Sequence, residues 1–285
     1  MGKAIKVEMW KAIHNVYFLI ALVVGFALVL CNVYETYTAV QEITNSCIDA
    51  QRVGVPISNF AGCSLFVWWI ANNGFNFGST YFYLVWPILA AMPFAWSFAQ
   101  ESKSGSIYQY ITRTNRKSYF AAKYFAVFVS GGLVISLPVL ADLLINALIC
   151  PDESLLFMNA LTTIENKSFL SAIFYTHPWI HSLIWCVIEF FWGGSVAALS
   201  FVGGTKLRFS VTAMLIPFVI LYVLGVLGVS IIRLAGTSLM LNPLYLAMAA
   251  PSGTNPGWLI FSVMGLCAVV SLIFGYWQVV KRDLL

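Results

Sequence analysis

Apolar residues in this chain gather into long blocks separated by short charged stretches, rather than alternating with polar ones. A helix needs about 20 residues to cross the hydrocarbon core of a bilayer. Six blocks reach or approach that length, at 16–33, 80–99, 124–149, 180–202, 209–232 and 258–280. The pattern predicts an all-α, polytopic membrane helix bundle of six transmembrane helices. Ahead of the first block, Ile5, Met9 and Ile13 recur every fourth residue beside Trp10, while Lys3, Lys6, Glu8 and Lys11 fill the remaining positions. That spacing predicts an N-terminal interfacial amphipathic helix over 1–15, lying on anionic headgroups. A shorter apolar run at 63–70 reads as an interfacial or re-entrant piece of the first outer loop, with Trp68 and Trp69 at headgroup level.

Small residues cluster inside the blocks: Gly131 with Gly132, Gly193 with Gly194 followed by Ala197 and Ala198, and Gly225 with Gly228. In lipid, helices associate through close backbone approach at such positions, so these are expected helix–helix contacts. The whole chain, 1–285, reads as one transmembrane domain with an outer loop at 34–79, a cytoplasmic loop at 101–123 and a second outer segment at 233–258.

Composition strengthens the membrane reading. The chain is 60% hydrophobic and only 9% charged, against about a quarter charged in a soluble domain. The net charge of +4 matters less than where the charges fall. Lys3, Lys6, Lys11, Lys103, Arg113, Arg116, Lys117, Lys123, Lys206, Arg208, Lys281 and Arg282 share one side of a six-span topology; Arg52, Lys167 and Arg233 occupy the other. Positive residues favour the cytoplasm, so both termini are expected there, in a multi-pass protein of the cell membrane with the lipid bilayer around it. No nucleic-acid partner is expected. The first block is too long for a signal-peptide core and reads as a retained span.

Most catalytic chemistry is absent at motif level. The sequence has no HExxH, no nucleophile elbow and no P-loop, so the chain itself is expected to bind no cofactor or metal and to catalyse nothing. His177 and His181 read as polar caps of a span rather than as ligands. Cys47 and Cys63 share the first outer loop, where an oxidising compartment would permit a disulfide between them, with two free thiols as the alternative. Asp142 and Glu189 fall inside spans. Charge near mid-bilayer costs several kcal/mol, which leaves a substrate path or a structural polar contact for each, with the structural contact favoured for Asp142.

The loop after the second block carries the most specific pattern. Glu101 is followed four residues on by Gly105, then Ile107, then a basic stretch of Arg113, Arg116 and Lys117, with Lys123 at the start of the next block. Position by position, Glu101, Gly105, Ile107, Arg116 and Lys123 resemble the coupling loop of permease subunits of the ABC type 2 exporter family; where the family often has proline, this chain has Arg113. The resemblance implies that the loop docks on a separate P-loop ATPase that binds ATP and Mg. It also implies a second permease copy or homologue, and a re-entrant segment at 233–258. The function expected from it is export of a hydrophobic or amphipathic substrate such as a peptide, a drug-like molecule or a lipid. A permease-like sensor or immunity subunit without sustained transport, and an intramembrane enzyme, are the competing readings.

Overall fold

The computed structural model describes residues 2–54, 64–113, 115–150, 164–165, 167–204, 210–236, 238–249 and 254–281. Among them the fold is all-helical. Five helices are long and apolar enough to cross a membrane: Val16–Arg52, Arg116–Ile149, Pro178–Gly203, Met214–Ala235 and Gly257–Val280.

The chain begins with α1 (Gly2–Ile13) and α2 (Val16–Arg52). Asn15 makes the joint between them. Its Oδ1 accepts the Phe18 N–H at 2.7 Å, capping α2, while Nδ2 donates to Ala12 O and to Pro93 O across the bundle. A side chain that satisfies one of the free N–H groups at a helix start stabilises it by about 1 kcal/mol. Helix α2 continues to Arg52 instead of ending at 33, because the polar stretch after the apolar block keeps helix-forming residues and holds no proline.

The second apolar block does not form one rod. It folds as α4 (Phe77–Ala91), a turn at 92–96, and α5 (Ser97–Ser104). The break falls at Pro93, where a proline removes an N–H and clashes with the preceding turn. With 15 residues, α4 spans about 22 Å at 1.5 Å per residue, short of a full hydrocarbon core. Helix α6 (Ser106–Arg113) follows, then α7 (Arg116–Ile149), α8 (Ser171–Thr176), α9 (Pro178–Gly204), α10 (Ser210–Ala235) and α11 (Gly257–Tyr276).

Helices α7 and α9 form the central pair, and the glycine clusters explain how closely they lie. A Cβ added at Gly131 would stand 2.4 Å from Ala197 Cβ, and one at Gly193 would stand 2.7 Å from Gly131 O. Gly225 and Gly228 serve differently from expectation. They face the side chain of Asn242 and the carbonyl of Leu241, so α10 packs there on the segment 238–249 rather than on another helix.

Two non-helical segments enter the bundle from the α7 C-terminal side. The first surrounds α3 (Leu65–Trp68). Trp69 is fully buried and donates its indole N–H to Val139 O at 3.0 Å, so it is a core residue and not part of a headgroup belt. The second runs through 238–249, with a short 3₁₀ turn at Tyr245–Ala247. Trp86 Nε1 donates to Leu244 O at 3.1 Å and Trp185 Nε1 to Ala247 O at 2.9 Å. Irregular backbone persists inside a membrane protein only when its polar groups are satisfied from within, and two tryptophans, Trp86 and Trp185, supply donors to the second segment. The segments also bond each other, Ala249 N–H to Ala71 O at 2.9 Å.

Candidate functional site

The segment that carries Glu101, Gly105 and Ile107 folds as a helix, a left-handed glycine and a second helix. Gly105 ends α5 with φ 71°, a conformation that costs other residues about 1–2 kcal/mol, and α6 starts at the next residue. Ile107 is buried against the inner apolar cluster that includes Phe94, Phe98 and Tyr119. The turn between α6 and α7 is set by Asn115, whose Oδ1 accepts the Lys117 N–H. Arg116 is half-buried and Lys117 exposed at the start of α7. Arg113 closes α6, and its side chain lies outside the described residues.

Glu101 and Lys123, far apart in the loop, are brought into contact. Lys123 is 0% exposed, and its Nζ lies 2.5 Å from Glu101 Oε1 and 3.2 Å from Glu8 Oε2. The ammonium also sits over the rings of Phe94 and Tyr119, at 5.1 and 5.4 Å. Tyr119 OH donates to the other Glu101 oxygen. Lys11 completes the set through Glu8 Oε1 at 2.8 Å and Tyr110 OH at 2.9 Å. Two carboxylates thus meet two ammonium groups, and the cluster is electrically neutral. Burial would pull the Lys11 ammonium down, but hydrogen bonds to Glu8 and Tyr110 outweigh it and hold its pKa above the ordinary lysine value.

On α1, Glu8 and Lys11 face inward rather than out with the polar surface, while Lys3 and Lys6 stay exposed and Ile5, Met9 and Ile13 are half-buried. Glu8 is 3% exposed and points into the protein with Lys11, whereas Val7 and Trp10 stand exposed. The desolvation cost of charge bears on this: a buried carboxylate that keeps its charge is stabilised by cations beside it, and Lys11 and Lys123 supply them to Glu8. Sequence reasoning missed Glu8, Lys11, Tyr110 and Tyr119. The Glu8–Lys11 spacing of three was a legible helical ion pair, but nothing local connected it to Lys123. A groove of about 370 Å³ opens between α1 and α5 beside the cluster, lined by Trp10, His14, Trp96 and Gln100 among others.

The two intramembrane acids play different parts. Asp142 accepts from Asn32 Nδ2 at 2.9 Å, the Ile70 N–H at 2.7 Å and Asn146 Nδ2 at 2.9 Å. It therefore anchors the inserted segment around α3 by satisfying its backbone. Glu189, on α9, is also fully buried, but among the described residues it receives a single hydrogen bond, from Tyr83 OH to Oε1. Its Oε2 has no hydrogen-bond partner among the described residues.

The histidines do not converge. His177 is exposed, while His181 is a core residue, fully buried and stacked on Trp185 at 5.8 Å, rather than an interfacial cap. Among the described residues no group of His, Cys, Asp and Glu is arranged to hold a metal ion. Cys63 lies outside the described residues, and its pairing with Cys47 lies outside them as well. Compared with protein-family models, with curated proteins and with solved structures, the chain has no match.

Proposed function

We propose that this chain is the membrane-spanning permease subunit of an ATP-binding-cassette exporter, driven by a separate P-loop ATPase. The observation that carries the reading is the contact between Glu101 and Lys123. Two positions of the coupling-loop pattern, set on different helices, form one buried ion cluster with Glu8 and Lys11 of α1. A loop that must pass force from an ATPase to membrane helices needs a rigid attachment to them. This cluster joins α5, α7 and α1 at one place, and the left-handed Gly105 sets α6 off from α5 beside it.

In this reading the five long helices and the short α4, continued through the turn into α5, make six passes. The basic ends of the helices face the cytoplasm of the cell membrane, with both termini there. ATP and Mg belong to the partner, and a second permease, identical or homologous, completes the transport unit. The cargo is a hydrophobic or amphipathic molecule such as a peptide, a drug-like compound or a lipid. ATP changes the conformation of the permeases only by binding one state better than the other.

The test is a mild-detergent pull-down of the tagged chain from its native membrane, with wild type, Glu101→Gln and Arg116→Ala compared. Co-purification of a P-loop ATPase that weakens in the variants supports the reading. Recovery of the chain without any nucleotide-binding partner removes it. Vectorial movement of cargo with ATP turnover then separates an exporter from a sensor.

A further inference from the structure

A second cavity, about 280 Å³, lies at the opposite end of the molecule from the ion cluster, between α10, α4 and the segment 238–249. Leu84, Val226, Val229 and Leu244 give it apolar walls, and Arg233 and Ser230 stand at one end. Tyr222 and Arg233 both line it, three turns apart on α10 and so separated by about 16 Å. That length matches one leaflet, half of a hydrocarbon core of about 30 Å. Val226 and Val229 are 53% and 38% exposed, so the slot opens sideways towards lipid.

Arg233 forms no ion pair and no hydrogen bond among the described residues. Arg52, by contrast, is paired with Asp49 at 3.2 Å. A long cationic side chain at the end of a membrane helix ordinarily reaches for the headgroup layer. That tendency accounts for its exposure, but not for a leaflet-deep apolar slot directly beneath it. A guanidinium presents paired donors that match a phosphate, and the slot accommodates apolar chain below that contact.

We propose that this slot is a binding site for one acidic glycerophospholipid from the leaflet on the Arg233 side, its phosphate on Arg233 and an acyl chain lying along α10. The site is independent of the exporter reading, since it involves neither the coupling loop nor an ATPase.

Native mass spectrometry of the full chain, released from detergent micelles after addition of phosphatidylglycerol or phosphatidylcholine of matched chains, tests it. Wild type retains phosphatidylglycerol with a preference of about tenfold, the scale of one charge-assisted contact. Arg233→Gln, at an exposed position, brings the two lipids level, while Arg52→Gln keeps the preference. Val226→Trp fills the slot and lowers retention of both lipids. A preference that survives Arg233→Gln, equal retention of the two lipids by wild type, or unchanged retention in a folded Val226→Trp variant overturns the proposal. If Val226→Trp does not fold, Arg233→Gln alone decides.

Discussion

Nζ of Lys123 and Oε1 of Glu101 lie 2.5 Å apart, and the lysine is closed off from solvent on every side. Removing one member of a buried pair strands the other, which costs about 3–5 kcal/mol. Among the described residues, Lys123→Met leaves Glu101 with no cation in contact and Glu8 with Lys11 alone, and it is expected to lose stability on that scale in thermal unfolding of the purified chain. The double variant Lys123→Met with Glu101→Gln should lose less than Lys123→Met by itself. Additive losses would mean that the two side chains do not act as a pair.

Alkaline pH probes the same cluster from the α1 side. The Lys11 pKa is raised in the folded chain, so its stabilising contribution is complete below the ordinary lysine value and fades as pH climbs through the higher folded one. Wild type is therefore expected to lose stability more steeply than Lys11→Met above about pH 10.5. Parallel curves over that range would show that Lys11 contributes nothing through its charge.

The two intramembrane acids should respond unequally to amide substitution. Asp142→Asn replaces an acceptor of three hydrogen bonds with a group that turns a donor towards donors, at an expected cost of about 1–3 kcal/mol. Glu189→Gln keeps an oxygen for Tyr83 OH and puts its amide where Oε2 already has no partner among the described residues, so it should cost less than Asp142→Asn. Denaturant titration of both variants gives the comparison. An equal loss would place Glu189 in the same structural class as Asp142.

Glycines within the apolar helices are likewise unequal. An added Cβ at Gly131 meets Ala197 and the Ala90 carbonyl, whereas one at Gly265 meets nothing within 4 Å. Gly131→Ala is expected to lose about 1–3 kcal/mol through overpacking. Gly265→Ala should be neutral or stabilising by about 0.4–1 kcal/mol. Melting temperatures of the two variants in the same detergent measure the difference.

The helical class was legible because length and apolarity act locally, and so was the packing role of Gly131 and Gly193, though not which helix each would meet. The ends of elements were less so. Pro93 divided a block that hydropathy alone would join, and the polar residues after 33 stayed helical because nothing in them stops a helix. In the candidate site, Glu101, Gly105 and Lys123 were legible as a pattern, but their meeting with Glu8 depends on how α1 folds back on α7. Trp69 and His181 were misplaced for a shared reason. Both carry a polar edge on an apolar body, and burial against a carbonyl or another ring is a long-range event that spacing does not encode.

Helix α2 has a mechanical consequence. It is 37 residues long and so reaches about 55 Å, with no proline along its length. A rod of that kind amplifies rotation: a tilt of about 10° pivoting at Asn15 would swing Arg52 through about 10 Å. Small rearrangements beside the ion cluster would thus be read out as large excursions at the far tip.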